Sequence, residues 1–243
     1  MDRFIFKFIL FFILSTAFCV GVGALFSVFN IPDSTQRPSE NVEASVKTYK
    51  TVIIDAGHGG EDGGTSSASG LVEKDLNLEI SQMLCDMLRS NGINVIMTRE
   101  DDRLLYDRNV DFHGRKKVLD LAARLHIAES TPDAVFISIH MNAFSDPRYS
   151  GLQVWFSPND ESSYTLANTI QTNTQKLLQP YNNRKVKQAT SGIFLLDKAT
   201  CPAVLVECGF LSNSEEALNL GEREYRQKLA FILFTSISQF LEQ

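Results

Sequence analysis

The first thirty positions follow a different pattern from the rest of the chain. Residues 8–29 carry no charged side chain, and Arg3 and Lys7 stand just ahead of them. At about 1.5 Å rise per residue, such a stretch crosses the roughly 30 Å hydrocarbon layer of a bilayer. The basic residues before it favour a cytoplasmic N-terminus and export of everything that follows. A cleaved signal peptide is the competing reading. The length of the apolar run and the lack of a small-x-small cleavage site favour an uncleaved anchor over residues 1–29. Residues 30–50 contain Pro32, Pro38 and several Ser, Thr and Asn, with little to bury, and read as a linker.

From residue 51 onward, short apolar runs alternate with segments of helical periodicity. TVIIDA at 51–56 is β-branched and suits a buried parallel strand; it breaks into the glycine-rich turn GHGGEDGG. Residues 74–90 place Leu76, Ile80, Met83, Leu84, Met87 and Leu88 on one helical face, and Asn91-Gly92 supplies a stop. Further strands are predicted at 93–98, 134–140, 151–157, 193–196 and 203–206. Helices are predicted at 114–130, with Val118, Leu121, Ala122 and Leu125 inward, and at 162–178, 212–220 and 222–241. Residues 99–112 read as a long charged loop near a crevice mouth. Six strands with intervening helices imply an α/β fold: a three-layer αβα domain on a mostly parallel, twisted sheet, filling 51–243 as one unit without internal repeats.

Composition narrows the class. At 243 residues and 44% hydrophobic, the chain supports one well-buried domain plus an appendage. A formal charge of −6 without clustered Lys and Arg excludes nucleic acid as a partner. Of four cysteines, Cys19 lies in the apolar N-terminus, so no disulfide framework is expected; Cys201 and Cys208 read as small buried side chains.

Four polar residues stand where such sheets bind ligands, at strand carboxyl ends or a helix start: His58, Glu73, His140 and Glu207. Two imidazoles and a carboxylate suit one Zn²⁺ ion, which keeps a position open and brings the pKa of a bound water from about 15.7 to about 7. A second carboxylate beside it accepts the water proton and passes it to a leaving amine. Spacing alone leaves open which glutamate is ligand and which is base. It also leaves open a non-haem iron facial triad, although the extra glutamate favours hydrolysis. His113 and His126 read as bystanders, one in a charged loop and one on a polar helix face, while Asn142, Gln153 and Ser191 are candidates to line the groove. The glycines of 57–64 lack a Walker lysine and are expected to serve backbone angles rather than phosphate.

DAGHGG with Glu73-Lys74, MTRE, FISIHMNA, SGIFLLDK and PAVLVECGFLSN, in that order, resemble the zinc-dependent N-acetylmuramoyl-L-alanine amidase family of bacterial cell-wall hydrolases over nearly all of 51–243. The resemblance implies that His58, Glu73 and His140 hold the metal and that Glu207 is the catalytic glutamate. It also implies hydrolysis of the amide between N-acetylmuramic acid and the L-alanine of the stem peptide. The short catalytic domain behind one membrane segment is most similar to the germination-specific spore-cortex amidases, which implies stripping of stem peptides for muramic δ-lactam formation. The partners so implied are the peptidoglycan glycopeptide as substrate, the membrane through the N-terminal segment, and a regulatory protein of unknown identity, with the enzyme on the extracytoplasmic side. The alternative is a non-catalytic peptidoglycan-binding or regulatory module of the same fold. Met141 and the charged stretch 99–117 depart from the family pattern without touching a proposed ligand.

Overall fold

A computed structural model describes residues 48–106 and 114–243. The expected anchor at 1–29, nearly all of the linker and His113 lie outside the described residues. Among those described, no helix is long and apolar enough to cross a membrane.

Six strands form one sheet: β1 (Thr51–Ala56), β2 (Asn94–Met97), β3 (Ala134–Asn142), β4 (Gln153–Phe156), β5 (Lys187–Gln188) and β6 (Ala203–Phe210). Their order is β2-β1-β3-β6-β4-β5; the β6–β4 pairing alone is antiparallel, so β4 and β5 run against the other four strands. The β-branched runs of β1, β3 and β6 occupy the middle, where both faces are covered, so nearly every residue there is buried. One face is packed by α1 (Glu73–Ser90), α3 (Ser162–Leu177) and α6 (Arg223–Leu241). Leu76, Ile80, Leu84, Ile170, Leu229 and Leu233 there meet Val52, Ile54, Val135, Ile137, Val204 and Val206. The other face carries α2 (Lys116–Glu129) and α4 (Phe194–Lys198) over Ile53, Phe136, Ala203 and Leu205. Helix α5 (Ser214–Gly221) closes the end of β6. This is the expected three-layer, mostly parallel α/β domain.

Two expectations fail. Residues 193–196 are not a strand: Phe194–Lys198 is the short helix α4, burying Leu195 and Leu196, and the sixth strand is Lys187–Gln188 at the sheet edge. A four-residue apolar run fits one helical turn as well as a strand, and here the turn Ser191-Gly192 lets the chain dip onto the second face. The inward face of α2 was also misread. Val118 and Ala122 are exposed, whereas Asp120, Arg124 and Ala128 are buried, with Leu121 and Leu125 at the flanks. The helix is aimed by charge at that face, for a reason found in the site below.

Where β6 leaves the sheet, buried Glu216 of α5 accepts hydrogen bonds from Gly151 N (2.7 Å) and Phe210 N (2.8 Å), tying the start of β4 to the end of β6. Asn213 caps the same helix through Glu215 N and Glu216 N. Glu216→Ala orphans two buried amides and is expected to cost about 3 kcal/mol, read as a lower urea midpoint with an unchanged m-value. An unchanged midpoint would remove Glu216 from this role.

Candidate metal centre

Successive strands β1 and β2 lie side by side, and β3 then pairs on the opposite edge of β1. The chain therefore reverses its direction of travel between β1 and β3, and the loops leaving their carboxyl ends part to open a crevice. His58 follows β1 there and His140 lies two residues before the end of β3.

His58 has a left-handed backbone, with φ 62°, a conformation that costs a residue with a Cβ roughly 1–2 kcal/mol or more. Buried arginines hold that turn in place. Arg99 donates from Nε to Ala56 O (2.8 Å) and from Nη2 to Gly57 O (2.9 Å) and Lys74 O (2.8 Å). Arg124 donates from Nη1 to Ala56 O (2.8 Å) and from Nη2 to His58 O (2.7 Å). Its charge is balanced by Asp55 at 2.6 Å and Asp120 at 2.8 Å. Asp55, fully buried, also accepts from Ser138 Oγ (2.6 Å) and Thr98 Oγ1 (2.8 Å). Burial alone would raise the Asp55 pKa, but Arg124 and these hydroxyls override it and hold the carboxyl below the usual aspartate range. This explains the face of α2: Asp120 and Arg124 sit one helical turn apart and reach inward to β1.

Glu73 opens α1, whose first amides are satisfied by the turn itself: Glu73 N donates to Thr65 O (2.9 Å) and Lys74 N to Gly63 O (3.2 Å). The side chain is almost wholly buried. Glu73 Oε1 lies 2.9 Å from His140 Nδ1, 3.2 Å from His58 Nε2 and 3.0 Å from Met141 N, while Oε2 accepts from Thr65 N at 2.8 Å. Burial pushes the Glu73 carboxyl up, yet the two histidines outweigh it and hold it well below the carboxylate range. For His58, burial lowers the pKa, but Glu73 and Asp62 raise it further, leaving it above the ordinary value. Asp62 Oδ2 stands 3.0 Å from His58 Nδ1, where a carboxylate orients a ligating imidazole.

His58, Glu73 and His140 thus each present one ligand atom, all within 4.8 Å of one another. Of the two glutamates, Glu73 is the one that clusters with both histidines. Glu207 stands beside them on the neighbouring strand, in register with His140. It lies within β6, which continues to Phe210. Its carboxyl is raised to about 7, first by burial and further by the charge of Glu73, with His140 and His58 pulling the other way. Glu207 Oε2 is buried and without a hydrogen-bond partner among the described residues. A buried carboxylate in that state needs a positive or proton-bearing partner, and a cation at the adjacent triad supplies one. Two glycines leave room for the triad. A Cβ on Gly57 would meet His140 Nε2 at 2.3 Å, and one on Gly64 would meet Glu73 Oε2 at 2.4 Å. The donor set, the orphaned oxygen and the cleared space all fit a divalent metal.

The cleft runs over His58, His140 and Glu207 and is walled by Leu121, Ile193, Phe194 and Leu195. Ile193, Phe194 and Leu195, within the stretch expected as strand, supply most of that wall from the start of α4. Of the polar residues expected to line the groove, Gln153 is instead buried and holds Arg184, while Ser191 is exposed beside the wall. His126 is exposed on α2, with its ring 3.3 Å from Ser130 Oγ and away from the cluster. The cysteines among the described residues, Cys85, Cys201 and Cys208, are free. The residues that spacing missed are Asp55, Arg99, Asp120 and Arg124.

An α/β domain with a candidate metal centre at the carboxyl edge of its sheet defines the class. The family described as N-acetylmuramoyl-L-alanine amidase matches residues 52–239, and the chain belongs to that family. It is 34% identical over 194 residues to the germination-specific N-acetylmuramoyl-L-alanine amidase of Bacillus subtilis, covering 80% of this chain and 81% of that protein. The fold is similar to the CwlD amidase of Clostridioides difficile, solved in complex with the GerS lipoprotein. That likeness has a TM-score of 0.75 and 37% identity over 79% of this chain and 98% of that one. It is also similar to the amidase AmiC2 of Nostoc punctiforme, with a TM-score of 0.67 and 30% identity over 81% and 98% of the two chains.

Arg124→Met leaves Asp55 and Asp120 as uncompensated buried charges and is expected to cost about 3–5 kcal/mol by chemical denaturation. The folded Asp55 carboxyl ionises at lower pH than the unfolded one. Its stabilisation is therefore present in full above about pH 4 and lost as pH falls below it. Asp55→Asn is expected to lower stability at neutral pH and flatten the acid limb of the stability profile; an unchanged acid limb would show that Asp55 is not the group responsible.

Proposed function

We infer that the chain hydrolyses the amide between N-acetylmuramic acid and the L-alanine of the peptidoglycan stem peptide, with zinc held by His58, Glu73 and His140. The observation that carries this reading is the His-Glu-His cluster with the buried Glu207 Oε2 next to it, unbonded among the described residues, inside a family of amidases. Zinc bound there supplies a polarised water nucleophile and a Lewis acid for the carbonyl oxygen. Glu207 accepts the proton released as water attacks the carbonyl carbon, then returns it to the departing alanine nitrogen, so that the C–N bond breaks to a carboxylic acid and a free amine. Asp62 fixes the His58 ring, and Glu73 both ligates and orients His140. Leu121, Ile193 and Phe194 give the cleft an apolar wall against which the substrate can lie.

The setting follows from the relatives and from the N-terminal pattern. Similarity to a germination-specific amidase supports work on spore cortex, with removal of stem peptides preceding muramic δ-lactam formation. The apolar stretch at 8–29 supports export, with the domain at 51–243 held on the outer side of the membrane through the linker. A relative solved with a lipoprotein supports a protein partner here too. Retention of all four site residues argues against a module that only binds.

Two variants test the roles. Glu207→Gln is expected to keep the stoichiometric zinc of the wild type while turnover falls by about 10²–10⁴, because an amide takes no proton from water. His140→Ala is expected to lose both zinc, measured by elemental analysis, and activity. Normal turnover in the first, or unchanged zinc in the second, would reject the assignment.

A further inference from the structure

Two exposed aromatic rings beyond the cleft take no part in the amide chemistry. Phe144 is 53% and Tyr149 45% exposed, yet both rings contact neighbouring side chains. Their rings meet edge to face at 4.7 Å, and Tyr149 leans on buried Phe210 at 6.2 Å. The Arg184 guanidinium lies 4.6 Å from the Phe210 ring centre and 5.7 Å from that of Tyr149. The backbone that carries them is pinned at several points. Phe144 N donates to Ser212 Oγ (3.0 Å), Asn213 Nδ2 to Pro147 O (2.9 Å) and Arg184 Nε to Ser150 O (2.6 Å).

The patch is joined to the cleft by a short chain of contacts. Gln153 of β4 lies directly opposite Glu207 of β6, a pairing that brings Cβ atoms to about 5 Å. Gln153 Oε1 accepts from Arg184 Nη1 at 3.2 Å, and Arg184 leads to Tyr149 and Phe210. The rings therefore continue the sheet's carboxyl edge on the β4 side of Glu207, away from α1. Size decides between occupants. Two half-exposed rings offer at most a few hundred Å², whereas a stable protein interface buries about 1,000 Å² or more. That area matches one or two ring-sized ligands.

We propose that Phe144 and Tyr149 form a stacking platform for saccharide rings of the glycan strand, next to the muramic acid whose amide is cut. Sugar rings present faces of C–H groups, which suit the negative face of an aromatic ring. The identity of the polymer rests on the amidase reading, but the platform itself rests on the geometry above.

The test uses the full chain in detergent. Binding of peptide-free glycan strands is measured by equilibrium titration, alongside KM and kcat on polymeric peptidoglycan and on a single-sugar N-acetylmuramoyl peptide. Phe144→Ala and Tyr149→Leu are each expected to weaken glycan binding and raise the polymer KM about three- to tenfold, with kcat and the single-sugar KM unchanged; Tyr149→Phe is expected to retain binding. Because Phe144 is more than half exposed, its substitution leaves the fold intact, which matching thermal unfolding verifies. Absent glycan binding in the wild type, or equal binding by wild type and variants, overturns the platform. Equal losses on the single-sugar substrate overturn it as well. Glycan binding without amide cleavage leaves the platform standing and rejects the amidase reading, so the two failures are distinguishable.

Discussion

The structure depends on a buried charge cluster beneath the turn after β1. Arg124 and Arg99 bond the carbonyls of Ala56, Gly57 and His58, and so fix three successive peptide units at the place where a histidine adopts a left-handed backbone. Neither guanidinium is tolerable there alone. Asp55 and Asp120 neutralise Arg124, and hydroxyls from β3 and the segment after β2 complete the shell of Asp55. Replacing such a cluster by apolar side chains is often neutral for stability in proteins generally, so its value here is positional. It holds His58 in one orientation against Glu73 and His140, as a metal site requires of its ligands.

Around that anchor, the sheet order does the rest. Reversal of the chain between β1 and β3 opens the crevice, α1 brings Glu73 to it from one face, and β6 sets Glu207 beside His140 in register. The two glutamates then diverge through environment alone. Glu73 lies between two imidazoles and stays ionised. Glu207, whose buried Oε2 has no hydrogen-bond donor among the described residues, has its carboxyl raised to about 7. Paired carboxylates pushed in opposite directions are the usual mark of divided labour between ligand and proton carrier.

How much of this was legible in the sequence follows from the range of each interaction. That His58, Glu73, His140 and Glu207 come together was readable because each stands at or near the end of an apolar strand or the start of a helix, a local signal reinforced by motifs in family order. The three layers and the mostly parallel sheet were readable for the same reason. Arg124 was not, because its partner Asp55 lies 69 residues away, and a charged residue on a helix reads as solvent-facing until its partner is known. Residues 193–196 were misread because a short apolar run carries no period long enough to separate helix from strand; packing on the second face decided it. Gln153 was given to the groove as a polar residue near a strand end, but its side chain is taken up by Arg184 and the carbonyl of Lys185.

The most direct test of the central claim is digestion of purified peptidoglycan by the full chain, with and without chelator and added zinc, with products read by mass spectrometry. The account predicts free stem peptides beginning at L-alanine, lost on chelation and restored by zinc. Cleavage at another bond, or release of those peptides at an undiminished rate after the metal has been stripped, would contradict it.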